Sequence, residues 1–347
     1  NSEFTNNIVR ENIINGKAQN NLPGMRVLNR SDSLLIEHNL FQGNKAEGDA
    51  YCVGSGLGVI FVEGGTVQYN TFIGNEADEG AGLLLHAANN INIYNNEFIK
   101  NKVNVDAAAV YILESKNTTV FNNIFKYNSA KNVCGGCVIQ KSDAVLANNI
   151  FYRNEAMYGA AVAGSDAAEI YLVNNSLYEN KAPNNGGSGL FAFNSVIKML
   201  NTICWDDPNS GDEIKIHGEA KVLAAYSNIR GGYEGEHIYD ENPIFSDSLL
   251  TLSDDSPCIG KGVIEYDFDG LLLGCPSLDC NTLERPLPPG SNPDLGAVES
   301  PLASDVFAKK DPAPTSFSLS PNYPNPFNPE TAISYFLPGN SNIRLII

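Results

Sequence analysis

The sequence predicts an all-β fold, a right-handed parallel β-helix of about nine coils, and three observations carry that expectation. First, the phrase Asn-Asn-x-Phe-x-x-Asn recurs. It runs Asn95-Asn96-Glu97-Phe98 to Asn101, Asn122-Asn123-Ile124-Phe125 to Asn128, and Asn148-Asn149-Ile150-Phe151 to Asn154. A leucine version, Asn174-Asn175-Ser176-Leu177, closes at Asn180, and looser copies close at Asn12, Asn44 and Asn75. Degenerate copies surround Asn201-Thr202-Ile203 and Ser227-Asn228-Ile229. Second, the closing asparagines step by 32, 31, 26, 27, 26 and 26 residues. A constant step in the mid-twenties is one coil of three short strands and three turns, and the longer early steps read as loop insertions. Third, helical periodicity is absent, and turn residues separate short apolar runs throughout.

Each coil can be divided in order. Gly82-Leu83-Leu84-Leu85 is the first strand, Ile91-Asn92-Ile93-Tyr94 the second and Phe98-Ile99-Lys100 the third. The next coil repeats them as Ala109-Val110-Tyr111-Ile112, Thr118-Thr119-Val120-Phe121 and Phe125-Lys126-Tyr127. Between them lie Ala88-Asn89-Asn90, Ser115-Lys116-Asn117, Lys141-Ser142-Asp143 and Ser165-Asp166, residues that favour turns. Coils stacked about 4.8 Å apart give a rod of roughly 40 Å. Each inward Phe, Ile or Leu then rests on its equivalent in the next coil. The asparagines at the bends adopt left-handed dihedrals and bond their amides to the neighbouring coil, which accounts for them without a sugar ligand.

Charged residues make up only 18% of the chain, and the net charge is −18. That balance argues against nucleic acid or an anionic membrane as partner and is compatible with calcium capture. No run of about twenty apolar residues provides a transmembrane segment. The chain opens inside a repeat and stops inside the strand-like Ile343-Arg344-Leu345-Ile346-Ile347, so both ends read as incomplete. Among the seven cysteines, Cys275 and Cys280 lie close enough in one loop to form a disulfide. Cys134 and Cys137 form a CxxC, but in an extended segment they face opposite sides and no second pair completes a zinc site.

The pairing of Phe-x-x-Asn with a small-residue strand start resembles the repeats of polymorphic outer-membrane adhesins. Phe72-Ile73-Gly74-Asn75 before Gly80-Ala81-Gly82-Leu83 is one instance, and Leu177-Tyr178-Glu179-Asn180 before Gly186-Gly187-Ser188-Gly189-Leu190 another. Residues 1–232 are similar, more broadly, to the pectate-lyase-like right-handed β-helix superfamily. Residues 233–300 resemble the closing module of secreted bacterial β-helix proteins, a likeness that begins at Tyr226-Ser227-Asn228-Ile229. It continues through Asn242-Pro243-Ile244-Phe245, Ser256-Pro257-Cys258-Ile259, Asp267-Phe268-Asp269-Gly270, Arg285-Pro286 and Asp294-Leu295-Gly296-Ala297-Val298-Glu299. The Leu271–Leu283 insertion departs from that pattern. Residues 301–315 read as a linker. Beyond it, Phe317-Ser318-Leu319-Ser320-Pro321-Asn322-Tyr323-Pro324-Asn325-Pro326-Phe327-Asn328-Pro329 with Thr331–Pro338 is similar to the start of a type IX secretion C-terminal sorting domain. The resemblance implies a truncated Ig-like β-sandwich fragment over 316–347. It also implies handling by the type IX secretion machinery and a secreted or outer-surface location in a Gram-negative bacterium.

Two surfaces are candidate sites. Lys100, Lys126 and Arg153 recur in the third-strand region of successive coils with Tyr127, Tyr152 and Tyr178 beside them, a sugar-binding strip or a solvated face. Asp49, Asp78, Glu79 and Asp106 fall in three consecutive loops, where clustered carboxylates hold Ca2+ or are plain surface acidity. Asp267 and Asp269 resemble part of an ion-binding loop without the glutamate of an EF-hand, and a turn role is the alternative. His86 aligns with Leu113 and Ile139, which suggests a packed histidine. No nucleophile elbow, P-loop or dinucleotide fingerprint is present. Two functions follow. One is a glycan-binding or adhesive surface without catalysis, its partner a polysaccharide or a host or cell-surface glycan. The other is a secreted polysaccharide lyase or glycoside hydrolase acting on acidic polysaccharide.

Overall fold

The computed structural model describes residues 2–15, 23–30, 33–47, 52–301, 318–319 and 335–336. Within 2–301 the alternation of apolar and polar residues builds three walls of parallel strands, each strand paired with its equivalent one coil away. The first wall runs from Met25–Arg30 to Ile214–His217. The second runs from Ser2–Thr5 to Lys221–Ile229, and the third from Ile8–Arg10 to Ile203–Trp205. A narrow fourth ribbon joins Ile13–Asn15, Lys45–Glu47, Glu76–Ala77, Lys102–Val103 and Ser129–Ala130. Parallel strands are normally covered on both faces by helices; here each wall faces the others across a shared interior.

The solenoid makes about seven turns, fewer than the nine counted from the repeats. The coil that follows the first copy, which closes at Asn12, passes through residues outside the described set. The last is absorbed into Lys221–Ile229, one long strand whose start pairs on the second wall and whose end pairs on the third. Helix is nearly absent: a single 3-10 turn, Pro208–Ser210, is all the described residues contain.

Inside, side chains stack in files. Phe41, Phe72, Phe98, Phe125 and Phe151 are fully buried, with successive ring centroids 4.4 to 5.0 Å apart and planes within 4 to 6° of parallel. Glycine at the start of the neighbouring strand makes room for this file: a Cβ on Gly136 would lie 2.9 Å from Phe151 Cδ1 and 2.1 Å from Ala161 O.

At the corners, the Asn-Asn pairs divide their labour. The first of each pair, Asn95, Asn122, Asn148 and Asn174, takes the left-handed conformation with φ between 50 and 56°. The second, Asn96, Asn123, Asn149 and Asn175, is buried and joins a ladder of side-chain amides. A parallel ladder links Asn12, Asn44, Asn75, Asn101, Asn128, Asn154 and Asn180. In it, Asn101 donates both its backbone N–H and its Nδ2 to Asn128 Oδ1 at 3.0 Å, and the same Nδ2 to Phe72 O at 2.9 Å.

Residues 233–300 pack onto the coils, and Asn1–Leu302 forms one compact unit. A hairpin, Glu265–Phe268 with Leu271–Gly274, sets Phe268 and Leu273 against Ala147, Val173, Leu200 and Ala225 on the outside of the second wall. Leu250, Ala297 and Val298 cover Ile150 and Tyr152 on the third. The segment is pinned by a fully buried ion pair, Arg285 Nε to Glu299 Oε2 at 2.8 Å, with Arg285 Nη1 also donating to Asn148 Oδ1 at 2.9 Å. A second unit, Ala303–Ile347, contains one antiparallel pairing of Ser318–Leu319 with Tyr335–Phe336. The rest of the linker and of the sorting-domain resemblance lies outside the described residues.

Phe125→Ala is expected to cost about 3–5 kcal/mol by opening a cavity in the file. Asn128→Ala should cost at least about 2 kcal/mol because it orphans two buried donors of Asn101. Denaturant unfolding of both variants checks this; an Asn128→Ala midpoint equal to wild type would show that the ladder contributes nothing to stability.

Candidate functional site

Strand register places all six residues of the expected strip on the outside of the third wall. Lys126, Tyr152, Tyr178 and Trp205 occupy one outward file. Lys100, Tyr127, Arg153 and Glu179 occupy the adjacent one, each in the left-handed conformation that ends the strand. The closing segment covers the far end: Phe245 lies edge-on to Tyr178 at 4.8 Å, and Tyr152 is 8% exposed. Burial pushes the Tyr152 hydroxyl up to about 12, with the charge of Glu179 adding to it. Arg153 sits 4.9 Å from the Tyr152 ring and 2.6 Å from Glu179 Oε2. Burial also lowers the Lys126 amine, against the opposing pull of Glu97 and Asp247. Lys100, Tyr127 and Arg153 remain exposed, Tyr127 by 42%.

The sequence reading missed a second feature. An open groove of about 350 Å³ lies at the corner between the second and third walls, lined by Asn92, Tyr94, Asn95, Thr119, Phe121 and Asn122. Its asparagines were accounted for as scaffold. The available signal was the outward position that holds Tyr94 and Phe121 in consecutive coils and then turns aliphatic at Ala147 and Val173.

Among the described residues, Asp78, Glu79 and Asp106 are not brought together as a set of metal ligands. Asp49 lies outside the described residues. Asp78 accepts from Cys52 N at 2.8 Å and Asn104 Nδ2 at 3.2 Å; Asp106 accepts from Asn132 Nδ2 and Val133 N at 2.9 Å. Both serve the same coil-to-coil bonding as the asparagines, while Glu79 pairs through its backbone with Val53. Asp267 accepts from Gly270 N at 2.6 Å, and Asp269 takes φ 54°, so both shape the hairpin turn.

The cysteine and histidine readings are also revised. Cys275 and Cys280 are free thiols and no disulfide joins them. Cys275 Sγ points to Pro276 O, whereas Cys280 packs with Ile150 and Val298. Cys134 and Cys137 do face opposite sides, one in an outer cluster with Val138 and Ala163 and the other in the central core. His86 aligns with Leu113 and then Gln140, not Ile139, because the coil between them is 27 residues long. It is part-exposed, 3.7 Å from Glu114.

Among the described residues, one set of three metal-competent donors lies together: Cys204, Asp206 and Glu213, all buried, with ligand atoms within 4.8 Å of one another. Arg230 Nε already contacts Glu213 Oε1 at 2.6 Å, and Asp206 Oδ1 accepts from Asn180 N and Nδ2 at 2.8 and 2.7 Å. Burial raises both carboxyls; the Asp206 charge adds to the shift at Glu213, and Arg230 opposes it. A thiol and two carboxylates beside a guanidinium do not make the oxygen-rich shell that calcium takes.

A family model described as "Right handed beta helix region" matches residues 2–137. No curated protein matches the chain. A solved structure titled "The complex structure of XylC with xylose" is similar at 13% identity and a TM-score of 0.39 over 79% of this chain. The chain spans about half of that one, 51%. Together with the geometry, the family match defines the coils as a right-handed parallel β-solenoid.

A carboxyl whose pKa is raised on folding binds its proton more tightly in the folded state. Its favourable contribution is therefore complete below the ordinary carboxylate pKa and is lost as pH rises through the raised value. Stability from Asp206 and Glu213, and from Asp294, which burial and Glu299 push up to about 7, is expected to fall from acidic pH through neutrality. Glu213→Gln keeps the acceptor for Arg230 and removes one titration. Its melting temperature should gain on wild type as pH rises; parallel curves from pH 5 to 9 would refute the assignment.

Proposed function

We propose that this is an exported, surface-held protein that binds glycan along the outside of the third wall. The observation that carries the reading is the register that sets Lys100, Lys126, Tyr127 and Arg153 side by side on one exposed face. Cations at its edge suit the hydroxyls and carboxylates of a polysaccharide, and the exposed Tyr127 ring offers a platform for a pyranose face. The likeness of residues 317–338 to a type IX sorting signal supports display at the outer surface of a Gram-negative cell. No helix among the described residues is long and apolar enough to cross a membrane. Asp78 and Asp106 take part in bonds between coils, and the glycan contact falls on the lysine-bearing face instead.

A second reading, a lyase acting on acidic polysaccharide, is favoured by one observation: burial lowers the pKa of Lys126, which lies 5.9 Å from the Tyr152 ring. A proton-abstracting lysine needs such a shift.

Affinity electrophoresis of the full chain through gels containing pectate, alginate or xylan tests both. Retardation by at least one polymer is expected, weakened about tenfold in Lys126→Ala and Tyr127→Ala, the loss that follows removal of a well-placed contact. Free migration through every polymer would sink the glycan reading. Ultraviolet absorbance of an unsaturated sugar product, abolished in Lys126→Ala, would replace binding with elimination.

A further inference from the structure

We propose that the corner groove at Asn95 and Asn122 is a docking site for an extended polypeptide segment of a partner protein. It would be held by the asparagine-to-backbone contacts with which this chain already holds its own closing segment.

Five left-handed asparagines, Asn95, Asn122, Asn148, Asn174 and Asn201, form one file along the corner between the second and third walls. The last three are occupied by backbone or side chains of residues 263–296. Asn201 Nδ2 donates to Val263 O at 2.8 Å while Asn201 Oδ1 accepts from Val263 N at 2.9 Å, a two-point match between a side-chain amide and the backbone of one residue. Asn174 Nδ2 reaches Asp294 O at 3.1 Å and Gly296 O at 3.3 Å. Asn148 Nδ2 donates to Leu278 O at 2.7 Å and its Oδ1 accepts from Arg285. The side-chain oxygen of Asn122, next in the file, is buried and has no hydrogen-bond partner. A buried acceptor without a donor is uncommon and costly.

The groove is also continuous with the covered interface. Phe121 packs at the margin of the apolar cluster that Phe268 and Leu273 complete over Ala147 and Val173. Its six lining residues carry no charge, so nothing there selects a phosphate or a uronate. Two coil spacings are roughly 10 Å, the length of about three extended residues. The chain's own covering segment shows the chemistry that fits: in Gly262-Val263-Ile264, small and uncharged, the N–H and C=O of Val263 both meet the Asn201 side chain. The partner segment is therefore extended, uncharged and small in side chain. This surface is distinct from the lysine-tyrosine strip, and the inference does not rest on the glycan reading.

The test is a nuclear magnetic resonance titration of the full chain with a capped peptide carrying the sequence of residues 262–264, Gly-Val-Ile. The expected result is saturable shifts at residues 92–122, including the Asn122 side-chain amide. Binding should weaken about tenfold in Asn122→Ala and when the peptide's valine nitrogen is methylated, each removing one hydrogen-bond partner. Thr119→Trp, which fills the groove from an outward strand position, should abolish binding without touching the left-handed corner. Absence of peptide shifts, shifts confined to residues outside the groove, or an unmethylated and a methylated peptide binding equally would overturn the proposal. So would saturation of the same residues by xylo-oligosaccharide but not by peptide.

Discussion

The solenoid depends on a way to turn a corner in its own interior. Each bend carries backbone N–H groups out of strand pairing, and a buried N–H must find an acceptor. The asparagine amide supplies one that repeats without end. Its oxygen takes two donors from the preceding coil, and its nitrogen gives to the next amide and to a strand carbonyl, as Asn123 does with Asn149 and Ile93. Every side-chain group of such a ladder asparagine is used, so the ladder itself leaves no amide atom stranded in a dry interior. The phenylalanine file follows from this. Corners fixed to a step of 26 or 27 residues return the same inward position to the same height, and one ring lands on another.

The same logic explains how the ladders end. At the corner between the second and third walls the amides give way to hydroxyls, Asn175 N meeting Thr202 Oγ1 and Thr202 N meeting Ser227 Oγ. At the third-wall corner Asn180 meets Asp206, which can accept but not donate. A carboxylate in that place brings into the interior a charge that an asparagine would not. Glu213, Cys204 and Arg230 assemble around it, and the raised carboxyl pKa values record the cost of burying two acids beside one guanidinium. The cluster is a termination device first, and its metal-competent donors follow from that role.

What the sequence disclosed divides along the same line. Inward positions are dictated by the stack, so the phrase Asn-Asn-x-Phe-x-x-Asn revealed strands, corners and wall register almost residue by residue. The error at His86, one place out in the following coil, came from a step of 27 read as 26. Outward positions answer to no repeat. The strip from Lys100 to Tyr178 was legible because its members share coil positions. That Tyr152 and Tyr178 would be covered was not, since the covering segment lies some seventy to a hundred and fifty residues further along the chain. Asp78 and Asp106 looked like surface acids because spacing cannot show that a side chain bonds the coil above. Asp206 and Glu213 gave no pattern at all: they belong to the one place where the repeat fails.

That division also says where function is to be sought. The fold accounts for the interior and leaves activity to whatever the outer faces present. Along the corner file the outward residue changes from Tyr94 and Phe121 to Ala147, Val173 and Leu200 at the point where the chain begins to cover itself. Under the closing segment the corner is small and aliphatic, as packing requires. Beyond its edge the corner bears aromatic rings and asparagine amides that no coil contact demands. Partly exposed aromatic residues in adjacent coils, beside an unanswered acceptor, are not explained by stacking. The open part of the corner and the lysine-bearing face beside it are the outer surfaces whose residues the stacking of coils leaves unexplained.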